Sequence, residues 1–169
     1  MRALVLGAGT PAGRALAAAL AAAGARLALV ASAGDAETAF AVQRLARRLG
    51  ALSQAIDATN EMALRVMTRQ VAKALGGLDA LFFCADLGAA TAEALALACR
   101  FAAREMARDR GRGVIVAALP AGAVADIGTL AAEQAPKGVR LLAVDVPAAP
   151  DDAWARGVLA RLADSPPPP

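Results

Sequence analysis

The chain has 169 residues, 58% hydrophobic and 20% charged, which is enough apolar material for one hydrophobic core and excludes intrinsic disorder. Its net charge of +3 is modest, and its arginines, in stretches such as RLARRLG and RFAAREMARDRGR, are scattered along helices with carboxylates among them. With aromatics at only 3%, no basic run carries stacking side chains, which argues against nucleic acid as a partner.

Apolar runs alternate with helical patterns from the first residue onward. RALVLG reads as a strand, and Pro11 to Ala23 as a helix stopped by Gly24. ARLALVA is a second strand, followed by a helix from about Glu37 to Leu49 closed by Gly50. ALSQAID is a short third strand, and Thr59 or Asn60 caps a helix that runs to Leu75 and ends at Gly76-Gly77. DALFFCA is a fourth, buried strand, before a long helix over roughly 92–108. GVIVAAL is the fifth strand, a short helix near Thr129 to Gln134 breaks at Pro136, and VRLLAVDV is the sixth. Asp152 to Ala163 is helical, and the proline-rich tail 164–169 can neither pair nor pack as a helix. Strands separated by helices imply a parallel sheet, and continuous apolar strands imply burial on both faces. The expectation is an α/β, three-layer, doubly wound sheet of about six strands in a single domain over 1–163.

Two cysteines, Cys84 in a predicted strand and Cys99 in a predicted helix, with no histidine and no Cys-x-x-Cys, point to buried reduced thiols and away from a zinc site. The alanine-rich start imitates a secretory signal. However, the apolar run between Arg14 and Arg26 is too short to span a bilayer, and a strand, loop and helix account for the same residues. The reading is a cytoplasmic protein with no membrane segment. The alanine excess itself is what a GC-rich genome produces.

The stretch GAGTPAG lies between the first strand and the first helix. Gly7 allows a tight turn, Gly9 lets a phosphate approach the backbone, and the helix start at Thr10 and Pro11 offers N–H groups and a positive dipole end. Pro11 suits a first helical position, where its missing N–H would have no partner. Ala12 reads as the close-packing position of G-x-G-x-x-A. At the end of the second strand, Ala31 and Ser32 stand where an acidic ribose anchor or an arginine for a 2′-phosphate is usual. Asp35 follows slightly later. A dinucleotide, NAD or NADP with the preference open, is the candidate ligand.

Several segments in succession resemble the short-chain dehydrogenase/reductase family, from Met1 to about Pro147. LGAGTPAGRALA is similar to its T-G-x-x-x-G-x-G and following helix start; Gly7 and Gly13 match, while Leu6 replaces the threonine and Pro11 the middle glycine. IDAT resembles its D-V-T, which implies that Asp57 and Ala58 contact adenine. GGLDALFFCAD resembles G-x-L-D-x-L-V-N-N-A-G, with Phe83, Cys84 and Asp86 in place of the asparagines and glycine; the likeness places Cys84 and Ala85 beside the cofactor. REMARDRGRGVIVAAL looks like the helix and strand that lead to the catalytic serine, and LAAEQAPKGVRLLAVDVP like the stretch before a Pro-Gly turn, here Val146-Pro147. The resemblance implies a Rossmann-like fold and NAD(P)-dependent oxidoreduction.

The departures bear on chemistry. The chain has no tyrosine, and the Y-x-x-x-K segment expected between AALPAGAVADIG and TLAAEQAPKG is absent. Ala118-Leu119-Pro120 replaces the serine at the end of the fifth strand, and a loop and helix expected after CAD are missing. In the family the tyrosine moves a proton at the carbonyl oxygen while hydride moves at carbon, and the lysine lowers its pKa from a reference near ~10. Asp126, Thr129, Glu133 and Lys137 are the residues in the right part of the sequence to replace it, and Cys84 lacks a basic partner. Three readings stand: a catalytically silent relative that keeps dinucleotide binding, an oxidoreductase with another acid–base group, and an interaction module that binds no nucleotide. The apolar positions of the helix over 92–108 (Leu95, Leu97, Ala98, Phe101, Ala102, Met106) serve either the chain's own sheet or a homo-oligomer.

Overall fold

A computed structural model describes residues 1–32, 35–121, 123 and 127–164, and for Pro136 and Asp164 the backbone alone. Asp126 and the tail from Ser165 lie outside the described residues. The elements alternate strictly: β1 (Arg2–Leu6), α1 (Pro11–Ala22), β2 (Arg26–Ala31), α2 (Ala36–Leu49), β3 (Leu52–Ala55), α3 (Glu61–Leu75), β4 (Ala80–Phe83), α4 (Thr91–Asp109), β5 (Gly113–Leu119), α5 (Ile127–Gln134), β6 (Val139–Asp145) and α6 (Asp152–Asp164). Short 3-10 helices precede α4 and follow α5.

Local chemistry sets the ends of these helices. Thr10, Asp35 and Asn60 each accept a hydrogen bond from the N–H three residues on, capping α1, α2 and α3. Gly50 and Gly76 close α2 and α3 in the left-handed conformation that a side chain would strain. Asn60, not Thr59, is therefore the cap of α3; Thr59 instead binds Asp57.

All six strands are parallel, in the order β3-β2-β1-β4-β5-β6. The order reverses between β1 and β4, so the loops at their carboxyl ends flank a crevice. One face of the sheet is covered by α3 and α4, through Leu64, Met67, Val71, Leu95, Ala98 and Met106. The other is covered by α1, α2 and α6, through Leu16, Leu20, Val42, Leu45, Ala155 and Val158. This is the three-layer, doubly wound α/β architecture expected from the sequence.

Two expectations are corrected. Burial of every strand on both faces holds for β1, β2, β4 and β5 but fails at the edges: β3 is largely exposed and β6 is half-buried along its middle. An apolar run cannot tell which strand the topology puts at an edge. Cys84 lies just past β4 rather than within it, although its N–H still bonds Leu6 O at 2.8 Å.

The apolar stripe of α4 turns inward. Leu95, Ala98, Phe101, Ala102 and Met106 are all buried in the chain's own core, and Leu97 is half-buried against it.

At the amino end of the sheet, Arg2 fixes β1 to the turn before β4. Its main-chain N–H and Nε donate to Asp79 at 2.8 and 3.0 Å, and its guanidinium also reaches Asp109 and the Gly76 carbonyl. Arg2 holds the Asp79 carboxyl below the usual carboxylate range, chiefly through this side-chain hydrogen bond.

Candidate functional site

The glycine loop emerges from the carboxyl end of β1 at the reversal point of the sheet. Its start is anchored sideways: the N–H groups of Gly7 and Ala8 both donate to Val30 O, at 2.9 and 3.1 Å. Gly7 has φ +87°, and a Cβ there would stand 2.5 Å from Ala85 N and 2.6 Å from the Cys84 carbonyl carbon. No other residue type fits between the β1 and β4 loops.

The rest of the loop closes on Thr10. Its N–H and its hydroxyl both donate to Gly7 O, at 3.0 and 2.9 Å, and the same hydroxyl oxygen accepts the Gly13 N–H at 3.0 Å. Arg14 N–H bonds Thr10 O at 3.0 Å, and Pro11 has no N–H. Among the described residues, the N–H groups of Gly9 and Ala12 are left without a partner, on a loop that is partly exposed at Gly9 and Thr10. Two open donors at a helix N-terminus fit an anionic group.

Close packing between helix and loop falls on Gly13 rather than Ala12. A Cβ on Gly13 would sit 2.9 Å from Ala8 Cα and from the Gly7 carbonyl carbon, and closer still to Gly7 O. Ala12 already carries a methyl and is simply buried. The spacing allowed either residue; what decides is that Gly13 faces the turn below it.

The loops after β1, β2, β3 and β4 come together through their backbones. Ile56 N–H bonds Ala31 O at 3.0 Å and Ala58 N–H bonds Ser32 O at 3.3 Å, so Ser32 and Ala58 are buried side by side. Asp57 is exposed, and its Oδ1 accepts from Thr59 N–H at 2.9 Å and from the Thr59 hydroxyl at 2.7 Å. Those bonds, the hydroxyl's first, hold its carboxyl below the usual range. Asp35 is likewise committed: it caps α2 through Thr38 N–H at 2.7 Å, which lowers its pKa. Cys84 and Ala85 form the floor beside Gly7, and burial pushes the Cys84 thiol up to about 12.

Two residues at the loop escaped the sequence reading. Thr38, in the first turn of α2, lies over Gly9, where a Cβ would meet its methyl group. Arg14 donates from Nη1 to Gly9 O at 2.5 Å and is otherwise exposed. A cation in the first turn of a helix opposes the helix dipole. That charge is visible in the sequence, and in the fold it is held by the Gly9 carbonyl.

Lys137 and Glu133, two of the other candidate acid–base residues, are not part of this cluster. Lys137 and Glu133 precede β6, at the amino end of the parallel sheet, while the glycine loop is at the carboxyl end. A seven-residue strand of ~3.3 Å per residue separates them, roughly 20 Å. Lys137 Nζ instead contacts Gln134 Oε1 at 3.4 Å. Thr129 lies in the first half of α5, and Asp126 is outside the described residues.

The short chain dehydrogenase family profile matches residues 1–102, which carry the loop, the reversal point and most of α4. The chain belongs to the short chain dehydrogenase family. Among solved structures, a short-chain type dehydrogenase/reductase from Mycobacterium marinum is 25% identical, with a TM-score of 0.69 over 85% of this chain and 73% of that one. NAD+-bound xylitol dehydrogenase shares the fold at 23% identity and TM-score 0.74, over 93% of this chain and 74% of its own. A short-chain dehydrogenase from Rhodopseudomonas palustris shares it at 19% identity and TM-score 0.77, over 98% and 92%. No curated protein matches the chain in sequence. Among the described residues of this short chain dehydrogenase, no helix is long and apolar enough to cross a membrane.

Proposed function

We propose that this short chain dehydrogenase is a dinucleotide-binding relative that holds NAD(H) or NADP(H) at the β1 loop but does not carry out the family's tyrosine-based reaction. The observation that carries the reading is the pair of unpartnered N–H groups, Gly9 and Ala12, at the reversal point of the sheet. These two donors bind the pyrophosphate, with the Arg14 guanidinium beside them as counter-charge. Gly7 and Gly13 let the backbone approach the ligand, and Thr10 and Pro11 fix the helix start. Ser32, Asp57 and Ala58 line the ribose and adenine side, and Cys84 and Ala85 form the floor. Residues 1–163 act as one cytoplasmic unit in this account.

The nicotinamide ring supplies a hydride when bound. A carbonyl partner would also need a proton at its oxygen, and a positioned general acid contributes about 10²–10⁴-fold. The chain has no tyrosine or histidine to offer it. Lys137 and Glu133 lie at the wrong end of the sheet, and Asp35 and Asp57 are engaged as ionised acceptors. The Cys84 thiol, at about 12, stays protonated and buried. On this reading the role of the site is binding, in the service of regulation or assembly.

The test is hydride transfer from NADH and NADPH to a panel of aldehydes and ketones, followed by loss of nicotinamide absorbance. Turnover at background supports the proposal. Turnover well above background on any member shows that another group supplies the proton.

A further inference from the structure

The glycines of the β1 loop exclude a side chain for different reasons. At Gly7 and Gly13 the obstruction is backbone: the β4 loop meets one and the Gly7–Ala8 turn the other. Gly9 has no positive φ, and no backbone atom stands closest to a Cβ built there. That Cβ would overlap Thr38 Cγ2, with Val42 Cγ2 next at 3.6 Å and Thr38 Cβ at 3.8 Å. Gly9 is therefore a glycine chiefly because of one methyl group on another element.

Thr38 is itself held. It is half-buried in the first turn of α2, a helix already anchored in the core by Val42 and Leu45. Its N–H donates to Asp35 Oδ1 at 2.7 Å, and that bond first, then one from its hydroxyl, holds the Asp35 carboxyl below its usual range. A β-branched side chain is stiff about χ1, so a hydroxyl committed to Asp35 fixes where the methyl points. It points at Gly9. On its other side Gly9 is held by Arg14, whose Nη1 donates to the Gly9 carbonyl at 2.5 Å. Glycine has more conformational freedom to lose than any other residue, and here a methyl and a guanidinium remove it.

We propose that Thr38 is a positioning residue of the dinucleotide site: its methyl seats Gly9 so that the Gly9 N–H is presented to the pyrophosphate, and its hydroxyl ties that seat to Asp35. The proposal rests on the dinucleotide-binding reading of the β1 loop. Threonine suits the task because it carries both groups. Serine would keep the tie to Asp35 without the seat, and valine the seat without the tie. Gly9 and Thr38 form a matched pair, and through them the start of α2 and the phosphate loop act as one unit.

The test separates the two groups of Thr38 in the full chain. NADH and NADPH are titrated by nicotinamide fluorescence, and Tm is read by circular dichroism. Thr38→Ser should melt close to the wild type yet bind about 3–10-fold more weakly, because binding must then order Gly9 itself. Thr38→Val should melt lower, having lost a bond to Asp35, yet bind close to the wild type. A purely structural Thr38 would move Tm and affinity together in both variants. Gly9→Ala should lower Tm, and adding Thr38→Ser should restore it, since the obstructing methyl is gone. Gly13→Ala, obstructed by backbone, should gain nothing from Thr38→Ser.

Affinity unchanged in Thr38→Ser, or lost in Thr38→Val, overturns the proposal while the wild type still binds. So does a Gly9→Ala defect that Thr38→Ser fails to relieve. A wild type that binds neither cofactor overturns the dinucleotide reading itself, and the presentation of Gly9 to a ligand falls with it.

Discussion

Replacing Gly13 by alanine puts two effects of opposite sign in competition. Gly13 is the third residue of α1 and its φ is not positive, so helix propensity alone favours alanine by about 0.5–1 kcal/mol. Against this, the new methyl would sit 2.9 Å from Ala8 Cα and from the Gly7 carbonyl carbon, atoms of a loop tied to Val30 O and pressed against Ala85. Overpacking of this kind costs about 1–3 kcal/mol. The net expectation for Gly13→Ala is a loss of about 1–2 kcal/mol, or a fall in Tm of about 2–8 °C for a chain of this length. Gly157→Ala is the control, because Gly157 lies within α6 and a Cβ there meets nothing within 4 Å. It should gain about 0.5–1 kcal/mol. Thermal denaturation by circular dichroism reads both. If Gly13→Ala melts at or above the wild type, as the control should, the loop is not packed on the helix start and the steric account of the cradle is wrong.

Thr10→Ala removes a hydroxyl that caps α1 and also binds Gly7 O, and should cost about 1 kcal/mol in urea denaturation, with Thr10→Ser close to wild type. Burial raises both cysteines from the ordinary 9.0 to about 12. The unfolded chain therefore loses these protons first, and stability should be intact below pH 9 and decline between about 9 and 12. A thiol reagent at pH near ~8 should label neither cysteine until denaturant is added. Asp79 is shifted the other way: its stabilisation is present above the ordinary carboxylate value of 3.8 and is lost as pH falls through its lowered pKa. Asp79→Asn should cost about 1 kcal/mol at neutral pH, given the partial exposure of the pair, and the gap to wild type should close in acid.

The order of strands and helices was legible because its punctuation is local. Gly50, Gly76, Asn60 and the Thr10-Pro11 pair act on their own neighbours, and each marks the element boundary expected of it. What could not be read depends on contacts distant in sequence. LSQA and VRLLAVD become edges only through the strand order. The apolar stripe of α4 fits an interface or a core equally well until the sheet is in place beneath it. In the loop, the spacing of glycines gave the cradle, but the choice between Ala12 and Gly13 rests on a turn of backbone close enough to exclude a methyl. Asp35 and Asp57 are typical ribose and adenine neighbours by position, and their hydrogen bonds to Thr38 and Thr59 emerge only in the fold.

The central claim is that the Gly9 and Ala12 donors hold a dinucleotide. Titration of the wild-type chain with NADH and NADPH, read by nicotinamide fluorescence and repeated with Gly9→Asp, tests it directly. The account predicts saturable binding to the wild type that the introduced carboxylate weakens by charge repulsion at the pyrophosphate. No binding at millimolar cofactor, or binding that Gly9→Asp leaves unchanged, would contradict it.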